Sequence, residues 1–111
     1  MKAKILAIAA ALISSSAIAE TVDCTNMGIV GVYVEGKRDD NFFFQNRMVI
    51  KYSKDCGGKR WSHTDIDNRA MSGFLSIALA AKASGKKVNI ATNTSTQTQL
   101  SNQLAYIGLV E

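Results

Sequence analysis

The chain is 111 residues long, 47% of them hydrophobic, and carries 13 Lys+Arg against 9 Asp+Glu for a formal net charge of +4. That length suits one small domain. Lys2 and Lys4 belong to a leader, so the working domain carries only about +2, a balance that argues against a nucleic-acid partner.

The leader opens with Lys2 and Lys4, continues as an unbroken apolar run from Ile5 to Ile13, and ends Ser14-Ser15-Ser16-Ala17-Ile18-Ala19. A short positive start, an apolar stretch too short for a bilayer and a small-x-small end read as a secretory signal peptide cleaved after Ala19. The mature domain is then 20–111, periplasmic or secreted. No second apolar stretch approaches membrane-spanning length, so no membrane span is expected.

Ile29-Val30-Gly31-Val32-Tyr33-Val34 is rich in β-formers and reads as a strand. Residues 36–41 are a polar turn. Residues 42–53 read as a second strand, with Phe44, Met48, Ile50 and Tyr52 on one face and Gln45, Arg47, Lys51 and Ser53 on the other. Gly57-Gly58 breaks the chain before a short third strand at 59–64. A helix is expected over 66–84. Thr64 and Asp65 offer N-cap side chains, and Asp67 suits the positive helix start. Ala70, Phe74, Ile77, Ala78 and Ala81 recur at helical spacing, and Gly85 suits the left-handed position that ends a helix. Residues 87–91 read as a strand, 92–102 as a polar loop, and 104–110 as a last strand, apolar on both faces and therefore central or interfacial. The order β-β-β-α-β-β predicts a mainly β domain with one helix, an OB-like five-stranded Greek-key barrel. An α+β sandwich, with the helix on one antiparallel sheet, is the alternative.

Cys24 and Cys56 are the only cysteines. An even count in an exported chain favours a disulfide. Their midpoint, Asp40, falls in the polar turn, which would put both at the open end of a hairpin between 28–35 and 42–53. A metal-binding or catalytic thiol is the alternative, and no CxxC accompanies either cysteine.

His63, Asp65 and Asp67 alternate, and on one strand face they would offer metal ligands. They straddle the expected helix start, however, so no metal or cofactor is expected. His63 is the only imidazole and no nucleophile signature accompanies it, so an enzyme is not expected. Trp61, the sole tryptophan, either fills the core, the first reading, or stacks on a sugar face. Phe43 must point opposite Phe42 and Phe44, towards water, which makes it a candidate subunit contact.

The segments GIVGVYVEG at 28–36, ALAAKASGKKVNI at 78–90 and LSNQLAYIGLVE at 100–111 resemble the B-subunit family of subtilase-type AB5 toxins. Those proteins are similar in having a leader, an OB-like barrel, an alanine-rich helix ending in Gly, a Val-x-Ile strand and a short hydrophobic last strand. The resemblance implies a homopentamer that binds cell-surface glycans, often sialylated, and an exported A-type subunit as a possible partner. Family members that bind sialic acid use a serine hydroxyl near the start of the first strand. Alignment on Gly31-Val32 puts Val30 there, which implies weak or absent sialic-acid binding, and neutral glycans or no glycans at all in place of sialylated ones. A glycan site built on tyrosine, hydroxyl and amide groups is expected at Tyr33, Thr92, Asn93 and Gln97. The alternative function is a periplasmic accessory or structural protein that binds another protein.

Overall fold

The computed structural model describes residues 20–95, 98 and 100–111; residues 1–19, expected above to be a leader, and the candidate Gln97 lie outside the described residues. Among the described residues the fold is mainly β with a single helix. The elements are β1 (Thr21–Met27), β2 (Ile29–Glu35), β3 (Arg47–Cys56), β4 (Lys59–Asp65), α1 (Met71–Ser84), β5 (Val88–Asn93) and β6 (Ser101–Leu109). The strands form one open sheet in the order β1-β5-β6-β4-β3-β2. Neighbours are antiparallel except β4 and β6, which run parallel. That pair departs from the antiparallel alternative, and the crossover it requires is supplied by α1 and β5.

β1 and β2 stand at opposite ends of the sheet order yet follow one another in the chain, separated by Gly28 alone. A Cβ at residue 28 would come within 2.9 Å of Ser53 Oγ, so the close approach to β3 favours glycine. The Gly28 N–H donates to Ser53 Oγ, and the Ser53 N–H donates to the Gly28 carbonyl. The sheet therefore curls, and one of its faces becomes an interior. The Cys24–Cys56 disulfide joins β1 to β3 with Cα atoms 6.0 Å apart. The expected bridge is present, but not at the mouth of a two-strand hairpin. Cys24 sits opposite Ile90 of β5, so the bridge ties one end strand of the curl to β3, the neighbour of the other.

The interior carries Met48, Ile50 and Tyr52 of β3, Ile90 of β5, and Leu104 and Ile107 of β6. Helix α1 covers it with buried Ala78 and Ala81, flanked by half-buried Phe74 and Ile77. Spacings of three and four residues align this stripe, and alanine lets the helix axis approach closely. Burying a side chain such as Ile50 contributes roughly 1.5–3 kcal/mol. Gly85, at φ 70°, ends the helix as expected, with the Lys86 N–H donating to the Ala81 carbonyl.

Four segments differ from the sequence expectation. β1 is an additional strand, so there are six; Val22 and Cys24 turn inward between exposed Thr21, Asp23 and Thr25, an alternation spread over mostly polar residues. Residues 42–46 are not strand. Asn41 and Asn46 take positive φ of 57° and 56°, the Gln45 N–H donates to the Phe42 carbonyl, and the Asn46 N–H donates to the Gly36 carbonyl. The alternation therefore restarts at Arg47, and Phe44 packs on the side opposite Met48, Ile50 and Tyr52. The helix begins at Met71, not 66. Thr64 and Asp65 belong to β4, and Asn68 forms a turn in which its Oδ1 accepts from the Ala70 N–H, competing with helix. Finally, Thr92 and Asn93 extend β5, and Ser101 and Asn102 begin β6. The last strand is central, between β5 and β4, one of the two placements that its two-sided apolar character allowed.

Candidate functional site

The outer face of the sheet, opposite the helix, carries one row in continuous register: Tyr33, Val49, His63, Gln103, Asn93 and Thr21. The turn at 42–46 folds back over the β2–β3–β4 end of this face. Between them lies a cavity of about 250 Å³ lined by Tyr33 and Glu35 on one side, Phe42, Phe44 and Leu100 on another, and Val49 with Trp61 from the sheet. Tyr33 is 48% exposed, and its ring centroid lies 5.9 Å from that of Trp61. The Tyr33 ring lies over Gly31, where a Cβ would meet its hydroxyl at 2.6 Å; the missing side chain makes room for it. Lys51 Nζ stands 5.4 Å from the Trp61 centroid, a cation–π contact. Arg38 braces the turn. Its guanidinium donates to Glu35 Oε1 at 3.1 Å and to Asp40 Oδ2 at 2.7 Å, and stacks 4.5 Å over the Phe42 ring.

Beneath this cover lies His63, 6% exposed, with Nδ1 hydrogen-bonded to Ser101 Oγ and its ring 6.1 Å from that of Phe44. Ser101 is itself fully buried, so the pair packs the sheet and offers no accessible nucleophile. Burial, then the nearby Arg47 charge, pushes His63 below the usual imidazole range, with Asp65 partly opposing. The unfolded chain therefore binds the proton more readily. Stability should be complete above the ordinary histidine pKa of about 6.5 and decline as pH falls from there towards the depressed folded value. Thermal melts between pH 7.5 and 5.5 should show this decline, and His63→Gln should flatten it. An unchanged slope in the variant would assign the decline to other groups.

A second, polar cleft of about 450 Å³ lies on the far side of the turn, lined by Phe43, Arg47, Asp65 and Asp67 among others. Phe43 is 52% exposed. Arg47 covers its ring at 4.5 Å, donates from Nη1 to the Phe43 carbonyl, and donates from Nε to Asp65 Oδ1. Among the described residues no group of three or more His, Cys, Asp or Glu is placed to hold a metal ion. No helix among them is long and apolar enough to cross a membrane.

The sequence candidates do not converge. Tyr33 lies at the cavity. Thr92 is 1% exposed on the interior face, its hydroxyl 3.7 Å from Cys56 Sγ. Asn93 shares the outer row with Tyr33 but lies four strand spacings away, roughly 19 Å along the sheet. Its amide is already engaged, accepting from Thr21 Oγ1 and donating to Gln103 Oε1. Val30 is exposed at the irregularity where β2 meets β3. Trp61, read first as core, is half-buried on the outer face instead. The alternation of β4 held the signal: Trp61, His63 and Asp65 share one side, Ser62 and Thr64 the other. It was obscured because the interior takes the polar side. There Ser62 Oγ and Tyr52 Oη share a hydrogen bond of 2.6 Å, which satisfies both groups.

No family model matches the sequence, and no curated protein matches it.

Proposed function

We propose that this chain is an exported, OB-type binding module that recognises glycans through the Tyr33–Trp61 cavity. The observation that carries the reading is the outward-facing aromatic pair at the mouth of a preformed cavity. Aromatic rings stack on the apolar face of a pyranose, and a few polar groups at the rim fix its hydroxyls. Glu35 and the Tyr33 hydroxyl are those groups here. The OB assignment draws support from the strand order, the parallel β4–β6 pair and the helix between β4 and β5. Taking β1 and β2 as the halves of one bent strand gives the five strands of that fold. Resemblance to AB5 B subunits, together with the leader, supports secretion or periplasmic export, a homopentamer and an exported A-type partner. In that assembly Phe43 is the subunit contact, and light scattering of wild type against Phe43→Glu measures it.

Trp61→Ala should weaken binding to neutral glycans on an array roughly tenfold while leaving the melting temperature close to wild type. Sialosides should bind weakly or not at all, because Val30 offers no hydroxyl. Strong, selective sialoside binding would overturn the neutral-sugar reading. The mostly apolar walls of the cavity favour one competing function, an accessory protein that receives an apolar side chain of another protein. An array without any binder would favour it.

A further inference from the structure

We infer that the cavity selects sugars bearing an acetamido group, N-acetylhexosamines, over plain hexoses. This rests on the glycan-binding reading above and names its ligand class. At about 250 Å³ the cavity is smaller than the roughly 300–1,000 Å³ of sites for drug-sized ligands, so it admits one ring and not a run of sugars. Its composition is divided. Tyr33 and Trp61 supply a pair of aromatic rings, and Phe42, Phe44, Val49 and Leu100 supply the rest of an apolar recess whose one charged lining residue, among the described residues, is Glu35. A plain hexose has hydroxyls around its whole rim, and any that entered the recess would lose their hydrogen bonds to water. An acetamido methyl enters such a recess without that cost. Its amide N–H still needs an acceptor, and Glu35 lines the same cavity with one carboxylate oxygen held by Arg38 Nη1. A hydrogen bond from the amide N–H to the other oxygen is charge-assisted, the stronger kind. Aromatic pair, apolar recess and fixed carboxylate thus meet three separate parts of one ligand.

Trp61 is the sole tryptophan, so its fluorescence reports on this cavity. The oxidised mature protein, residues 20–111, is titrated with N-acetylglucosamine and with glucose. N-acetylglucosamine should bind at least about tenfold more tightly, and Glu35→Ala should weaken N-acetylglucosamine more than glucose and so remove most of that preference. Arg38→Ala, which breaks the same ion pair but keeps the carboxylate, should retain the preference. Loss of the preference in both variants would assign Glu35 to holding the turn and overturn the inference. Equal affinity of wild type for both sugars would overturn it too, with the glycan reading intact. If neither sugar shifts the emission, the glycan reading falls and takes the inference with it. Two sources share this chemistry, surface glycans and bacterial cell wall. A β-linked N-acetylglucosamine trimer and an N-acetylglucosamine–N-acetylmuramic acid disaccharide separate them: tight binding of either supports the inference, and the tighter one identifies the source.

Discussion

Replacing Cys24 and Cys56 together by alanine is expected to destabilise the domain by about 3–4 kcal/mol, the chain-entropy value for a loop of this length. A domain this small holds only about 5–15 kcal/mol in total, and the change corresponds to a fall in melting temperature of roughly 15–25 °C. The geometry adds a reason for a full-sized effect. β1 has its ladder with β5 and reaches β3 through this covalent link, so without it the curl of the sheet rests on Gly28 and side-chain packing. Denaturant melts of the oxidised wild type and the double variant measure the difference. A loss under about 1 kcal/mol would show that the curl is held without the bridge. Thiol titration of the oxidised wild type should find no free sulfhydryl.

Asn102→Asp is expected to cost about 3–5 kcal/mol at neutral pH, the range for an uncompensated buried charge. Asn102 is 0% exposed, and its Nδ2 donates to the carbonyls of Cys56 and Gly57 at 3.1 and 3.2 Å. These bonds tie the β3–β4 turn to β6. Aspartate keeps the shape but turns a donor into a charged acceptor facing two carbonyl oxygens. Asn102→Ala removes the donor without adding charge and should cost less, about 1–3 kcal/mol. The order of the two variants in a denaturant melt is the test. An aspartate variant as stable as the alanine variant would mean that this turn opens to water.

Much of the fold was legible because local chemistry and tertiary packing agree there. The strand at Ile29–Glu35, the alternation of Met48, Ile50 and Tyr52, the stripe of α1 and its end at Gly85 all follow from periodicity and backbone preference. The disulfide followed from an even cysteine count in a chain read as exported, although its route through β1 did not. The cavity was less legible. Tyr33 was identified as a candidate, but its partners come from β4, a turn and the start of β6. Phe42 and Phe44 reach the outer face only because Asn41 and Asn46 adopt positive φ, a departure that strand alternation does not encode.

The polar stretch at 92–102 shows the same division. A run of Thr, Ser, Asn and Gln reads as solvated when each residue is considered alone. Thr92, Ser101 and Asn102 are nevertheless buried, because Cys56, His63 and the β3–β4 turn bring partners to them from 36 to 46 residues away. By itself the sequence determined the mainly β character, the helix stripe, the two-sided apolar character of the last strand and the cysteine pair, since each depends on neighbours within a few positions or on composition. Only the tertiary structure decided which polar groups go inside and which aromatics gather into one cavity. Burial of a polar group is decided by whether a distant partner satisfies it, and a site is decided by which strands the curl of the sheet makes adjacent.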